Sequence, residues 1–116
     1  MSAVAEQKQL VKGGAFLIEE REPEAIFTPE DFTEEHRMIS DMTRQFVDKE
    51  VSPRIGELEQ HDWKLSRQLV AHAADLGLIG ANIPEEFGGV GLDQTSGALI
   101  GENIGRSASF ATTLGA

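Results

Sequence analysis

Hydrophobic residues recur at helical spacing from residue 33 onward. Thr33 can accept a backbone N–H at the start of a helix, and Glu34 and Glu35 follow in the first turn, where the helix dipole favours negative charge. The apolar stripe of this helix is predicted to contain Met38, Ile39, Met42, Phe46 and Val47. Pro53 lacks a backbone N–H and disfavours helical angles at the preceding residue, so we expect it to interrupt or kink the helix.

A short helix and a longer one are predicted next. The segment Ile55–Leu58 has the pattern of the short helix. The longer helix is predicted to begin at Ser66, with Leu65 and Val70 packed as a hydrophobic staple across its first turn. Gly77 is predicted to end it, because glycine is preferred at the left-handed position that follows a helix.

Two further helices are predicted near the end of the chain. Asp93 is a candidate N-cap for the first of them. Its apolar positions are Leu99, Ile100 and Ile104, and the segment Ala108–Leu114 predicts a second helix after it. No stretch alternates hydrophobic and polar residues as a strand does, so the sequence predicts an all-α fold.

Three glycines, Gly97, Gly101 and Gly105, recur every four residues within one predicted helix. Each glycine costs up to about 1 kcal/mol relative to alanine in a helix interior. We therefore expect another helix or backbone segment to approach closely along this row. Glu102 and Arg106 lie in the same segment, which argues against a membrane pairing motif.

The first 32 residues lack helical periodicity. Residues 1–12 are polar, and a glycine pair separates them from the short apolar segment Ala15–Ile18. So short an apolar run does not fold alone, and we expect it to dock on a larger body. The predicted organisation is an extended N-terminal arm over residues 1–32 and an α-helical domain over residues 33–116.

Composition narrows the classes of function. The chain has 116 residues, 40% hydrophobic content and a formal net charge of -10, which suits one modest domain and disfavours nucleic acid as a partner. It has no cysteine, which excludes disulfides and thiolate metal sites. No apolar run reaches the roughly 18 residues needed to cross a membrane. We therefore predict a soluble cytoplasmic protein without a membrane span.

Few residues suggest chemistry on their own. His36, His61 and His72 show no metal-ligand spacing, so no metal site is predicted. The run Gly88–Gly91 has no lysine after it and no strand before it, so we interpret it as a tight turn with positive φ rather than a phosphate-binding loop. The adjacent pair Glu85–Glu86 does not form a catalytic carboxylate pair, because neighbouring side chains point in different directions.

Several features occur together in one order. The run from Asp75 to Asp93 joins a helix end, a proline-started acidic turn and a glycine-rich loop. Pro53 follows an acidic helix, Trp63 precedes the next helix, and Thr112–Ala116 ends the chain. Over residues 26–116 this order resembles the N-terminal helical domain of flavin-dependent acyl-CoA dehydrogenases, and the chain end resembles the long-chain and very-long-chain members.

The resemblance implies a piece of a longer enzyme, truncated before a middle β-domain and a C-terminal helical bundle. It implies FAD as cofactor, a glutamate base and α,β-desaturation of fatty acyl-CoA in fatty-acid β-oxidation. It also implies an electron-transfer flavoprotein as partner and a homo-oligomer at full length. In that family the base and the flavin contacts lie in the later regions. The resemblance therefore assigns no catalytic and no cofactor-binding residue to this chain, which is predicted to be inactive alone.

The resemblance does suggest a substrate contact. The family lines its fatty-acyl tunnel with a stretch that matches Phe110, Ala111, Thr112 and Leu114. Ordinary core packing of a truncated helix is the alternative interpretation of these residues. For the chain as a whole, the alternative to an enzyme part is a stand-alone acidic helical interaction module that uses the glycine row Gly97–Gly105 as a groove for a partner helix.

Overall fold

The computed structural model describes residues 10–115. The chain divides into two compact units, one ending at Phe32 and the other beginning at Thr33. In the first unit the described residues form three single 3₁₀ turns, Ala15–Leu17, Pro23–Ala25 and Pro29–Asp31. No strand occurs in residues 10–115, so the predicted all-α class is confirmed.

The second unit contains the α-helices of the described chain. Their bounds are Glu34–Phe46 for α1, Ile55–Glu59 for α2, Trp63–Asp75 for α3, Gln94–Ile104 for α4 and Ala108–Gly115 for α5. Their inward faces enclose one hydrophobic core, in which Val47, Val51 and Phe110 are almost completely buried. Within the described range, every helix is too short or too polar to cross a bilayer.

The first helix begins where the sequence predicts. Thr33 Oγ1 accepts the His36 N–H at 3.2 Å. The predicted apolar stripe is wrong at Met38 and Met42, which are 66% and 36% exposed. Thr43 is buried on this face instead. Its burial is tolerated because its hydroxyl donates to a backbone carbonyl of the preceding turn at 2.7 Å.

The predicted interruption at Pro53 takes the form of a change in helical winding. After α1 the chain widens into a π turn at Val47–Val51 and then tightens into a 3₁₀ turn at Ser52–Arg54 before α2 begins. Pro53 lies in the first turn of the 3₁₀ segment, where a missing N–H costs no intrahelical hydrogen bond. The chain therefore passes the proline in a 3₁₀ turn and departs from helical angles at Arg54, where φ is -114° and ψ is 16°.

The third helix begins earlier than predicted. Asp62 caps it, since its Oδ1 accepts the Leu65 N–H at 3.1 Å. The predicted start at Ser66 is wrong, because Ser66 is a buried residue inside the helix. The predicted staple between Leu65 and Val70 across the cap is wrong for the same reason. The predicted end is confirmed, with Gly77 at a φ of +78°.

Asp93 caps α4 as predicted, by accepting a backbone N–H at 2.8 Å. The expected approach of another helix or backbone segment along the glycine row is wrong within the described residues. A Cβ at Gly97 would overlap the Asn82 side chain, but one at Gly101 would have no neighbour within 4 Å. A Cβ at Gly105 would meet only carbonyls of α4 itself. In this row only Gly97 is needed for a close approach within the described residues, and the approaching side chain, Asn82, belongs to a loop.

Candidate functional site

Helix α5 carries the four residues that the family resemblance assigns to an acyl tunnel, and the structure places them in different environments. Phe110 is 1% exposed and packs against Phe46, with ring centroids 5.9 Å apart. Ala111 and Leu114 are half-buried against the same core. Thr112 is exposed and borders an open cavity. The four side chains therefore do not share one surface.

A groove lies between α3 and α5, and we call it the α3–α5 groove. It consists of two cavities of about 360 and 430 Å³ that share Trp63, Ser66 and Thr113 in their lining. The larger cavity is bordered mainly by apolar parts of α3, including Val70 and Ala74. Since α3 and α5 both belong to the second unit, the groove is a feature of the helical domain itself.

A tight connection between α2 and α3 positions the mouth of this groove. His61 has a φ of +64°, and its N–H donates to the Leu58 carbonyl while the Asp62 N–H donates to Glu57, both at 3.1 Å. These two bonds end α2, and the next helix begins at once. The His61 ring stacks on Trp63 with centroids 5.1 Å apart. The stacking holds the exposed tryptophan at the groove entrance.

The α5 wall of the groove is less polar than its sequence suggests. Thr112 Oγ1 donates to the Ala108 carbonyl at 3.0 Å, and Thr113 Oγ1 donates to the Ser109 carbonyl at 3.2 Å. Both hydroxyl protons are therefore used within the helix. This wall suits an apolar ligand better than one that requires hydrogen-bond donors.

Of these groove residues, Thr112 was predicted from the sequence as a ligand contact, and Trp63 and Thr113 were not. The signal for Trp63 was the residue before it, because Asp62 is a strong N-cap and the apolar period of α3 already begins at Leu65. A helix started at that cap places Trp63 in the first turn of α3. Thr113 had no signal, since its position depends on the packing of α5 against α3.

The glycine-rich turn is closed by its own backbone. Gly88 and Gly91 have φ values of +86° and +72°, as a tight turn requires. Gly89 has no room for a side chain, because a Cβ there would overlap the Ile83 carbonyl. The N–H groups from Phe87 to Leu92 each donate to a backbone carbonyl of the segment 80–85. None of these donors remains for a phosphate group.

The histidines have structural contacts. His72 packs edge-on against Phe46, with ring centroids 5.3 Å apart. His36 is buried, and its Nδ1 accepts the Thr33 N–H at 3.1 Å while Nε2 lies 2.8 Å from Asp93 Oδ2. In residues 10–115 no group of histidine and carboxylate side chains is arranged to hold a metal ion.

The contact between His36 and Asp93 joins the N-termini of α1 and α4. Because His36 Nδ1 accepts a hydrogen bond, its Nε2 carries the proton and donates to the carboxylate. Partial burial opposes ionisation of Asp93. The Ser96 backbone N–H and the His36 side chain outweigh burial and place the pKa of Asp93 below its usual value. This contact has the character of a structural clamp between two helices.

The sequence matches known proteins over most of its length. Residues 33–116 match the family model described as acyl-CoA dehydrogenase, N-terminal domain. The probable acyl-CoA dehydrogenase of Bacillus subtilis (strain 168) is 47% identical over 105 residues, which cover 90% of this chain and 18% of that protein. The cyclohex-1-ene-1-carbonyl-CoA dehydrogenase of Syntrophus aciditrophicus (strain SB) is 37% identical over 81 residues, covering 68% of this chain and 19% of that protein.

The fold matches as well. The crystal structure of an acyl-CoA dehydrogenase complexed with FAD from Bacillus anthracis superposes with a TM-score of 0.85 at 50% identity, over 91% of this chain and 18% of that one. The chain thus spans about a fifth of the length of these relatives. Sequence and fold agree on the same region, and the chain belongs to the acyl-CoA dehydrogenase family, whose N-terminal helical domain it carries.

Proposed function

We propose that this domain works as the N-terminal part of an FAD-dependent acyl-CoA dehydrogenase. Such an enzyme removes a proton and a hydride from adjacent carbons of an acyl-CoA thioester. The observation that carries the proposal is the match to the FAD-complexed dehydrogenase, with a TM-score of 0.85 at 50% identity. The finer proposal is desaturation of fatty acyl-CoA in β-oxidation.

The glycine-rich turn does not fit the pyrophosphate of FAD. The cofactor requires donors for its pyrophosphate and a wall for its isoalloxazine ring. The N–H groups from Phe87 to Leu92 are bonded within the turn, and the same turn carries the carboxylates of Glu85 and Glu86. We therefore propose that other parts of the whole enzyme supply the flavin contacts and the catalytic base.

The role proposed for this domain is to guide the acyl chain. Thr112 is exposed beside the α3–α5 groove, and we assign it to the wall of the acyl path. Phe110 is buried in the core, and Ala111 and Leu114 are half-buried against it, so their contribution is to fix the position of α5. The Thr112 hydroxyl already donates its proton to the Ala108 carbonyl, so the residue suits an apolar acyl chain.

Substitution of Thr112 in the whole enzyme tests this role. Thr112→Trp is expected to lower kcat/KM for long acyl chains by roughly tenfold and to change short-chain activity little, because the added ring blocks the far part of the path. Ala98→Trp, on the exposed side of α4, is the matched control for a bulky residue on a helix surface. An equal loss for all chain lengths would remove Thr112 from the acyl path.

The chain alone is expected to be inactive. We predict that the purified 116-residue chain shows no flavin absorbance, binds no stoichiometric FAD in a titration and leaves acyl-CoA unoxidised with an artificial electron acceptor. A stoichiometric flavin complex or any turnover would contradict this prediction and place a flavin site within these helices. That result would leave the family assignment unchanged.

The remaining features of the whole enzyme stay predictions. They are a long-chain substrate, an electron-transfer flavoprotein as acceptor, a homo-oligomeric state, a cytoplasmic location and the division into an arm over residues 1–32 and a domain over residues 33–116. The boundary along the chain between the two compact units, after Phe32, supports that division. Family membership favours an enzyme part over a stand-alone interaction module.

A further inference from the structure

We propose that Arg67 makes the acyl path selective for a chain that carries a second carboxylate at its far end. Arg67 lies on α3 and lines the larger cavity of the α3–α5 groove, about 430 Å³ in volume. Of the described residues in that lining, Arg67 alone bears a charge. This selectivity rests on the proposed function, since it names the class of acyl chain that such an enzyme takes.

The wall of α3 can accommodate an extended chain beside this arginine. Four residues of that wall are spaced three and four positions apart and so lie on one face of the helix: Arg67, Val70, Ala71 and Ala74. Beyond the arginine this face carries only short apolar side chains. On the α5 side, Thr113 uses its hydroxyl on the Ser109 carbonyl at 3.2 Å. These two walls therefore suit the methylene groups of an acyl chain.

The guanidinium group of Arg67 has donors available for an anion. Arg67 makes no ion pair within residues 10–115, whereas Arg44 and Arg106 each pair with an aspartate. The chain has 20 acidic and 10 basic residues, so this does not come from a shortage of carboxylates. A guanidinium group can donate two parallel hydrogen bonds to one carboxylate. A carboxylate is therefore the ligand group that Arg67 fits best.

The charges of the groove give such a ligand one orientation. Glu59 lines the smaller cavity together with Thr112 and would repel a carboxylate there. The larger cavity has Arg67 in its lining and lacks Glu59. The carboxylate end is therefore expected beside Arg67, with the preceding part of the chain beside Thr112. Because Arg67 is exposed, the carboxylate keeps part of its hydration and avoids the full cost of desolvation.

The single tryptophan of the chain allows a direct binding test. Trp63 lines both cavities, so its fluorescence reports a ligand in the groove. The 116-residue chain is titrated with the monomethyl ester of octanedioic acid, which ends in a carboxylate, and with methyl octanoate, which does not. We expect the carboxylate ligand to bind roughly three- to tenfold more tightly, as an ion pair at an exposed arginine allows.

Substitution of Arg67 separates its charge from its apolar stem. Arg67→Met keeps an unbranched apolar stem and removes the charge, so it should abolish the preference and leave the affinity for methyl octanoate unchanged. Arg67→Lys keeps the charge without the planar fork and should retain part of the preference. The lysine variant also provides the comparison if the methionine variant fails to fold.

Arg37→Met is the matched control for the loss of one positive charge. Arg37 is likewise an exposed arginine on a helix, it makes no ion pair within residues 10–115, and it does not line the groove. This variant should leave both affinities unchanged.

Turnover by the whole enzyme provides the second measurement. We compare kcat/KM for an acyl-CoA with a carboxylate at the far end of its chain and for the unsubstituted acyl-CoA of equal length. The ratio of the two values should fall roughly three- to tenfold in Arg67→Met and stay constant in Arg37→Met. A whole enzyme that desaturates neither substrate would contradict the proposed function, whereas the titration of the 116-residue chain still decides the role of Arg67.

The role of Arg67 is overturned if neither ligand binds the chain saturably, or if both bind the unsubstituted chain equally well. It is also overturned if the preference persists in Arg67→Met, or if Arg37→Met removes it as well. In those two cases the preference comes from another residue or from the net charge of the chain.

Discussion

The contact between α1 and α4 differs from the groove between α3 and α5 in where its polar side chains bond. Across the first contact, Asn103 Nδ2 donates to Ser40 Oγ at 2.9 Å, and His36 pairs with Asp93 at 2.8 Å. In the second, the threonine hydroxyls of α5 bond back to carbonyls of their own helix. Polar groups therefore join α1 to α4 but leave α3 and α5 without a polar link through these threonines.

A substitution has a different consequence in each of these two regions. Ile39 on α1 and Ile100 on α4 are buried where these helices pack, so a substitution there changes the fold itself. Trp63, at the mouth of the groove, is 60% exposed and stacks on His61. A substitution there changes a surface that a ligand or another part of the enzyme can use.

The largest effect on the free energy of unfolding is expected from truncating a buried side chain at the α1–α4 contact. Ile100→Ala should lower the free energy of unfolding by about 2–5 kcal/mol, because it leaves a cavity in a packed core. Trp63→Ala is the counterpart in the groove and should cost much less, although it removes a larger side chain. Urea unfolding followed by circular dichroism measures both. Equal losses would show that the groove is as much a part of the core as the α1–α4 contact.

The turn before α4 is tied to the start of that helix, because Asn82 Nδ2 donates to the Asp93 carbonyl at 2.6 Å. Gly89→Val should destabilise the fold by about 1 kcal/mol or more, because its Cβ meets a backbone carbonyl that cannot move aside. Gly88→Val should act in the same direction through its φ of +86°.

Gly101→Ala is the control for these glycine substitutions, because a Cβ at Gly101 has no neighbour within 4 Å. It should leave stability unchanged or raise it by up to about 1 kcal/mol, as alanine favours a helix. Thermal melting points of the variants provide the comparison. Unchanged melting points for Gly88→Val and Gly89→Val would mean that the turn is flexible rather than closed.

Local signals in the sequence were sufficient for the helix class and for most helix ends. Thr33 and Asp93 act as caps, and Gly77 ends α3, because capping depends on a few neighbouring residues. The start of α3 was misplaced because Ser66 and Asp62 are both acceptable caps. The apolar period that begins at Leu65 favours Asp62, and the burial of Ser66 inside the helix agrees with that start.

The side-chain environment was harder to predict. Met38 and Met42 fit an apolar stripe by type, yet the buried face of α1 includes Thr43 and turns both methionines toward the surface. For the candidate site, the family resemblance identified the α5 stretch and left core packing open as the alternative. The burial of Phe110 fits that alternative, and only contacts far apart in the chain show it.

A smaller effect on the free energy of unfolding is expected from removing the N-cap of α4, Asp93. Asp93→Ala removes the acceptor of the Ser96 N–H and the partner of His36, and should lower the free energy of unfolding by about 1 kcal/mol. Asp93→Asn keeps a capping oxygen and is the matched control. It should retain most of the stability that alanine loses. If both variants melt together, the cap contributes little and the α1–α4 contact relies on apolar packing.

The smallest effect is a pH dependence at the same residue. Partial burial of Asp93 opposes its ionisation, but the hydrogen bonds from Ser96 and His36 place its pKa below the usual 3.8 in the folded chain. A carboxylate whose pKa is lower in the folded state stabilises the fold above the unfolded-state pKa, and this contribution is lost as the pH falls through the folded-state pKa. The asparagine variant has no such charge to lose.

The melting-point difference between the natural chain and Asp93→Asn should therefore be steady from about pH 7 to about pH 5 and should shrink as the pH falls below 3.8. The effect is expected to be modest, because 59% of the Asp93 side chain is exposed and solvent screens its charge. Differential scanning calorimetry across this range measures it. A difference that stays constant down to about pH 3 would show that Asp93 acts through its capping oxygen and not through its charge.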